Sequence, residues 1–471
     1  MCPNSKHSKV DFKVILTLCL IVVFPVQSLS ADLSDLITIE QVGGNNDAIV
    51  RDINVGSTDP TTFNTFVHQQ GNENLTYIEQ LGQDIFTKVQ QFGDKNEVRI
   101  NVVEGVPPPS TFTVSTFPFA GNLNRRDIFQ NGNLNVSSLT QIGDLNDSSI
   151  TQIGEANKAI VAQVSSPFIA NDNSTTVVQN GNENFAAVTQ GTEFGANCDN
   201  CTATITQTGN DNGEPTFPGG PILTSIFQTG TLNVATITQS GDGNAAKIEQ
   251  GTEFGLNCDN CTATITQTGN FNGLVDPFIG DPRTAIFQAG INNDATITQT
   301  GNGNIGEISQ GAIFGCQNCV ANITQVGNDN GIVNSNNIPI IISPLTDPVG
   351  LDFTGVRVAA GTQIVQEGNN LDATISQVGS GNLALIEQST LTAGALVTAD
   401  IIQNGQDNNA VISQTGGGNS ANITQTGSEN FGSITQIGDG LSAGIIQNGN
   451  NNQAIVVQDG TGSPPVLVIQ P

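Results

Sequence analysis

Six cysteines in three C-x-x-C pairs, Cys198/Cys201, Cys258/Cys261 and Cys316/Cys319, are the residues of this sequence best suited to chemistry. Thiols three residues apart can hold a metal ion, cycle as a redox dithiol or close as a local disulfide. The pairs lie 60 and 58 residues apart. The periodicity described below converts that to about 10 Å along the fold axis, so four thiolates do not share one ion without loop movement. A redox dithiol would lack the βαβ surroundings of a thioredoxin-like motif. The reading adopted is a disulfide pinning each loop in an oxidising compartment, with a metal site and free thiols as the alternatives. The second cysteine of each pair stands six residues before the next glutamine of a regular series, and the first falls in the preceding loop. Val397 fills the corresponding place before Gln403, so the coil can be built without cysteine.

The turns Asn210-Asp211-Asn212-Gly213 and Asn328-Asp329-Asn330-Gly331 offer oxygen ligands suited to calcium. Their spacing departs from the nonapeptide pattern of calcium-binding β-rolls, which makes them solvated turns. Asn-x-Ser/Thr matches such as Asn200-Cys201-Thr202 follow from an Asn- and Thr-rich composition. His68 has no nucleophile or carboxylate in a recognisable frame, so the chain is expected not to be an enzyme and to need no cofactor. The pairs Thr204/Thr206, Thr236/Thr238, Thr264/Thr266 and Thr296/Thr298 suggest a flat threonine array that binds ice or another ordered surface, but other units place Ser, Glu, Asp or Lys there and interrupt the rows.

The elements that must position these residues follow from an unusual composition. Only 12% of the 471 residues are charged and 5% aromatic, with 53 glycines, whereas a globular domain is about a quarter charged. Thirteen Lys and Arg against 42 Asp and Glu give a net charge of -29, which argues against nucleic acid as a partner. Hydrophobic residues at 37% support a thin interior. Lys6, Lys9 and Lys13 precede an apolar run from Val14 to Val26 and then Gln27-Ser28-Leu29-Ser30-Ala31, the pattern of a secretory signal peptide cleaved after Ser30. Cleavage would remove Cys2 and Cys19 and leave 10 Lys and Arg against 41 Asp and Glu, a net charge of -31.

Glutamine marks an eleven-residue ruler. It recurs at Gln130, Gln141, Gln152 and Gln163, at Gln228, Gln239 and Gln250, and at Gln403, Gln414, Gln425, Gln436, Gln447 and Gln458. Fifteen further anchors, among them Gln288, Gln299 and Gln310, bring the total to 28, and glycine lies two residues after 23 of them. The other five precede longer spacings, so this glycine belongs to a tight turn. Period eleven also fits a helical supercoil, but a glycine in every unit would cost a helix about 1 kcal/mol each time. The alternation in Asn293-Asp294-Ala295-Thr296-Ile297-Thr298-Gln299 is instead the period two of a strand. Asn293, Ala295, Ile297 and Gln299 share one face, and Asp294, Thr296 and Thr298 the other.

The expected fold is all-β, a β-solenoid of stacked two-strand coils built from eleven-residue units, with loop insertions on both edges. Twenty-eight units give about 14 coils and a rod of about 67 Å at the strand spacing. Stacking buries the Ala and Ile that no coil buries alone. Inward Asn and Gln are expected to form ladders, because a buried amide without a partner costs a few kcal/mol. Gln190, Gln250 and Gln310 are sixty apart, so insertions such as Gly251 to Cys261 return to one edge. Those after Gln207 and Gln267, including Glu214-Pro215-Thr216-Phe217-Pro218, return to the other. Residues 92–129, with Pro107-Pro108-Pro109, and 326–365 lack clear anchors and read as loops, apart from one strand marked by Asn96, Val98, Ile100 and Val102. The chain divides into a signal peptide at 1–30, irregular repeats at 31–120 and the main solenoid at 121–471. Pro464-Pro465 and the apolar Val466-Leu467-Val468-Ile469 follow the last anchored strand.

The unit from Gln239 to Gln250, Gln-Ser-Gly-Asp-Gly-Asn-Ala-Ala-Lys-Ile-Glu-Gln, resembles the curlin repeat of bacterial curli subunits, and the resemblance covers most of residues 41–460. It implies a secreted subunit of extracellular amyloid fibres that act in biofilm matrix, surface adhesion and cell aggregation. The implied partners are copies of itself, other curli-like subunits and an outer-membrane export channel, and the implied location is the cell surface or beyond. The alternative is a monomeric β-solenoid adhesin or surface-binding protein, including an ice-binding one.

Overall fold

Strict alternation gives each strand an apolar face that it cannot bury alone. The chain meets this by sending successive strands to two facing parallel sheets. The structure, a computed structural model, describes residues 36–53, 64–83, 85–100, 121–122, 124–164, 172–191, 198–213, 224–251, 258–273, 284–311, 315–331, 361–390 and 395–471. Among the described residues, its first sheet has sixteen strands, from Leu36–Val42 to Val466–Gln470. Its second has fifteen, from Asp47–Ile53 to Gln453–Asp459. Pairing is parallel and in register, with Thr204 beside Thr236, Ile205 beside Ile237 and Gln207 beside Gln239. Sixteen rungs span about 72 Å at about 4.8 Å each.

This is the expected β-solenoid, with three strands of the two main sheets beyond the anchored units, and with a short strand, Gly121–Asn122, in a stretch expected to be loop. Asp47–Ile53 carries Asp52 where Gln80 stands on the next rung. Glu97–Ile100 buries Val98 and Ile100. The apolar text after Pro465 is a strand, Val466–Gln470, with Gln470 beside Gln447. The two prolines precede it, where no ladder N–H is needed. The signal-peptide residues, Pro107 to Pro109 and Glu214 to Pro218 lie outside the described residues.

In Asp294–Thr300, Ala295, Ile297 and Gln299 are buried while Thr296 and Thr298 are half-buried on the outer face. One continuous apolar core runs from Val67 to Val456 along the interior. Ile39, Ala48 and Val50 at one end and Val468 at the other are only partly buried against it. Each full burial of an Ile is worth about 1.5–3 kcal/mol, and a neighbouring coil is what completes it.

Candidate functional site

The buried polar residues form the most extended chemical feature of the molecule. In the first sheet, sixteen glutamines from Gln41 to Gln470, including Gln130, Gln152, Gln239, Gln299, Gln403, Gln425 and Gln447, are joined by fifteen bonds of 2.6–3.0 Å. Each Nε2 donates to the Oε1 of the following coil. The second sheet repeats this from Gln141 to Gln458 through Gln228, Gln250, Gln288, Gln310, Gln414 and Gln436, in eleven bonds of 2.8–3.0 Å. The amides also brace the two sheets. Gln425 Nε2 donates to Asn409 O at 3.0 Å and Gln447 Nε2 to Phe431 O at 2.9 Å. An amide with two donors and an acceptor suits this place, and a carboxylate does not.

A third ladder stands on the arc that leads into the second sheet. Asparagines from Asn46 to Asn430 are linked by thirteen Nδ2 to Oδ1 bonds of 3.0–3.2 Å. Here each amide donates to the preceding coil, opposite to the glutamines. The other arc mixes residues in the same inward place: Asn173, Cys201, Asn233, Cys261, Asn293, Cys319, Leu371, Val397 and Asn419 are all buried.

Disulfides join Cys198 to Cys201, Cys258 to Cys261 and Cys316 to Cys319, with Cα separations of 5.8, 5.9 and 6.0 Å. The first cysteine of each pair is not a loop residue. Cys198 pairs with Gly230, Gly230 with Cys258, Cys258 with Gly290 and Gly290 with Cys316, in a narrow strip of two-residue strands along the arc. It therefore occupies the place of the turn glycine, because C-x-x-C has the spacing of the G-x-x-N turn found elsewhere. That shared spacing was the available sequence signal. Val397 packs with Leu371, Cys316 and Cys319 in a separate apolar cluster.

The remaining candidates lie apart from one another. His68 Nδ1 stands 3.1 Å from Glu40 Oε2 on the outer face, beside Phe66 and Phe92. Asn210 N–H bonds Asp242 Oδ1 at 2.8 Å and Asn302 N–H bonds Asn328 Oδ1 at 3.0 Å, so these turn oxygens link successive coils. The threonine rows run unbroken over four rungs of the first sheet, farther than the text suggests, and one of them is then interrupted as expected, by Asn322 on the next rung and Asp400 beyond it. Thr204, Thr236, Thr264 and Thr296 occupy consecutive rungs, as do Thr206, Thr238, Thr266 and Thr298. The interrupting Lys247, Glu249, Glu307 and Ser309 face outward from the second sheet, because alternate units go to opposite faces.

Sequence comparison agrees with this geometry. The repeat described as curlin associated repeat matches residues 121–154, 170–209, 223–251, 361–389, 398–427 and 427–460. The chain is a curlin-repeat protein. Its repeats and its β-solenoid are those of a curli-like structural or fibre-associated protein, structural rather than catalytic in kind. No curated protein matches the chain significantly. Strands outside the six matches follow the same rule: Thr262–Thr268 repeats the sequence of Thr202–Thr208.

The outer faces of the curlin-repeat protein carry carboxylates in costly settings. Burial raises the pKa of Glu387 and of Asp372, and Asp400 is raised by burial and then by the charge of Asp372 on the adjacent rung. Raised carboxyl pKa values mean that the folded state binds more protons than the unfolded one above the usual carboxylate range. The contribution of these three groups to stability is therefore greatest at and below that range, from about pH 4, and falls as pH rises through the raised values. Urea unfolding at pH 5 and pH 7 should give the higher midpoint at pH 5, with a smaller difference in the Asp400→Asn, Glu387→Gln double variant. A higher midpoint at pH 7 would contradict this assignment.

Proposed function

We propose that the protein is a secreted subunit of an extracellular curli-like amyloid fibre, or a component associated with one, acting in biofilm matrix and surface adhesion. In this reading residues 1–30 direct export and are removed, the irregular repeats of 31–120 and the main repeats of 121–471 stack end to end, and an outer-membrane channel and other curli-like subunits are its partners. One observation carries it: the first-sheet glutamine ladder is polar and reaches both terminal described rungs. Gln41 lies at the acceptor end and Gln470 at the donor end, so one molecule's end complements the other end of the next. Strand edges with unpaired N–H and C=O groups template further strands. Purified protein at 0.15 M salt should become sedimentable and bind thioflavin. At 0.01 M salt, where charges act over about 30 Å rather than about 8 Å, the net charge should slow this strongly. Protein that stays monomeric for days at high concentration and high salt would overturn the reading.

The threonine rows, unbroken over four rungs, favour a second reading, a flat surface-binding face for ice or another ordered solid. Among the described residues, the hydroxyls of these eight threonines have no hydrogen-bond partner. Partition into growing ice that is lost in Thr206→Lys, Thr266→Lys but kept in Ser309→Lys would support it, and exclusion of wild type from ice would remove ice as the ligand.

A further inference from the structure

The cysteine turns and the glycine-asparagine turns are two solutions to one problem. On the arc that returns to the first sheet, rungs alternate between Cys198-Asp199-Asn200-Cys201, Gly230-Thr231-Leu232-Asn233, and again Cys258 to Cys261, Gly290 to Asn293 and Cys316 to Cys319. Both kinds share one backbone shape, with the third residue left-handed: Asn200 at φ 55°, Leu232 at 56°, Asn260 at 55°, Asn292 at 56° and Asn318 at 54°. In the glycine-asparagine form the inward asparagine ties the turn. Asn233 Nδ2 donates to Thr229 O at 3.0 Å, and Asn293 Nδ2 to Ala289 O at 3.1 Å. Cysteine in that place has no amide for this bond.

The cysteine turns also follow longer excursions. Eight, eight and six residues separate Gln190, Gln250 and Gln310 from Cys198, Cys258 and Cys316, against two from Gln228 to Gly230 and from Gln288 to Gly290. The disulfide closes only the four-residue turn that follows the excursion, and it reduces the conformational freedom that this turn itself loses on folding. None of the six cysteines is more than 2% exposed, so an exchanging thiol reaches them only when the turn opens.

We propose that the three C-x-x-C turns are a redox-set closure of the central coils, in which oxidation replaces the asparagine hydrogen bond by a covalent tie and reduction leaves these turns free to open. For each pair, one cysteine thiolate attacks an exchangeable disulfide RS–SR and expels RS⁻. The second thiolate then attacks the mixed disulfide and expels the other RS⁻. Two thiols and one RS–SR thus give one cystine and two RSH, the two electrons passing to the oxidant. Fibre formation is not a premise of this closure.

The test refolds the full chain from denaturant with oxidised glutathione or with reduced glutathione only, and follows amide hydrogen exchange in the strands Thr202–Thr208, Thr262–Thr268 and Val320–Val326, with Ser420–Ser428 as the control. Exchange in the first three should be about tenfold faster or more in the reduced chain, and unchanged in the control. Restoring the asparagine tie with C198G, C201N, C258G, C261N, C316G and C319N together should give slow exchange in both conditions. Equal exchange in reduced and oxidised wild type would overturn the proposal. So would a restored variant that exchanges as fast as reduced wild type, or unreduced peptide maps that link cysteines of different turns.

Discussion

Gln425→Glu should be among the most damaging single substitutions in this protein, costing about 3–5 kcal/mol at neutral pH by leaving a buried charge with one donor and facing two acceptors. Gln425 Oε1 accepts from Gln403 Nε2 at 2.9 Å, and its own Nε2 donates to Gln447 Oε1 at 2.9 Å and Asn409 O at 3.0 Å. A carboxylate keeps the first bond, loses both donations and sets its charge against two acceptor oxygens. Burial and those oxygens raise the pKa of the introduced carboxyl, so below the raised value its O–H restores one donation to Gln447. The deficit should therefore be full at pH 7 and shrink as pH falls toward about 4.3, the unfolded carboxyl value. Thr435→Glu, on the outer face of the second sheet beside Ser413 and Val457, should cost less than about 1 kcal/mol. Urea unfolding at both pH values checks this, and equal losses for the two variants would show that the ladder does not stabilise the fold.

Much of this fold was legible because punctuation and pattern agree. Gln-x-Gly marks the turn, and the Thr, Ile and Ala alternation marks the strand. What escaped did so where one of the two was missing. Asp47–Ile53 has the alternation but carries Asp52 at the anchor position, and Val466–Gln470 follows two prolines, so its Gln470 stands twelve residues after Gln458 rather than eleven. A strand needs an inward apolar row and a rung to pair with, and both segments have these. The threonine rows read as more broken in sequence than they are in space, for a different reason. Neighbouring units in sequence are not neighbours in a sheet, so Glu249 and Ser309 interrupt the rows in the text but not in space. Cys198 reads as a loop residue when cysteine spacing is taken for thiol chemistry, but the same spacing also describes the G-x-x-N turn into which it fits.

Gly301→Ala should destabilise the protein by roughly 3–5 kcal/mol, from backbone strain and overpacking of about 1–3 kcal/mol each with little room to relax. Gly301 has φ +114°, outside the left-handed region that other residues tolerate, and a Cβ there would lie 1.9 Å from Gly327 O and 2.7 Å from Gly327 C. Backbone must move to admit it. Gly301 N–H donates to Thr268 O and Gly327 N–H to Thr300 O, both at 2.9 Å, so any shift disturbs bonds to the rungs on either side. Gly440 provides the control, because its φ of +67° is left-handed and nothing lies within 4 Å of the added Cβ. Gly440→Ala should cost only the left-handed penalty of about 1–2 kcal/mol. The difference isolates the stacking of turn on turn from backbone preference. Hydrogen exchange should then show the Gly301→Ala deficit concentrated in Thr262–Thr268, Asp294–Thr300 and Val320–Val326, since each coil contacts only its neighbours. If both variants unfold at the same urea concentration, close turn stacking is not what requires glycine two residues after the ladder glutamine.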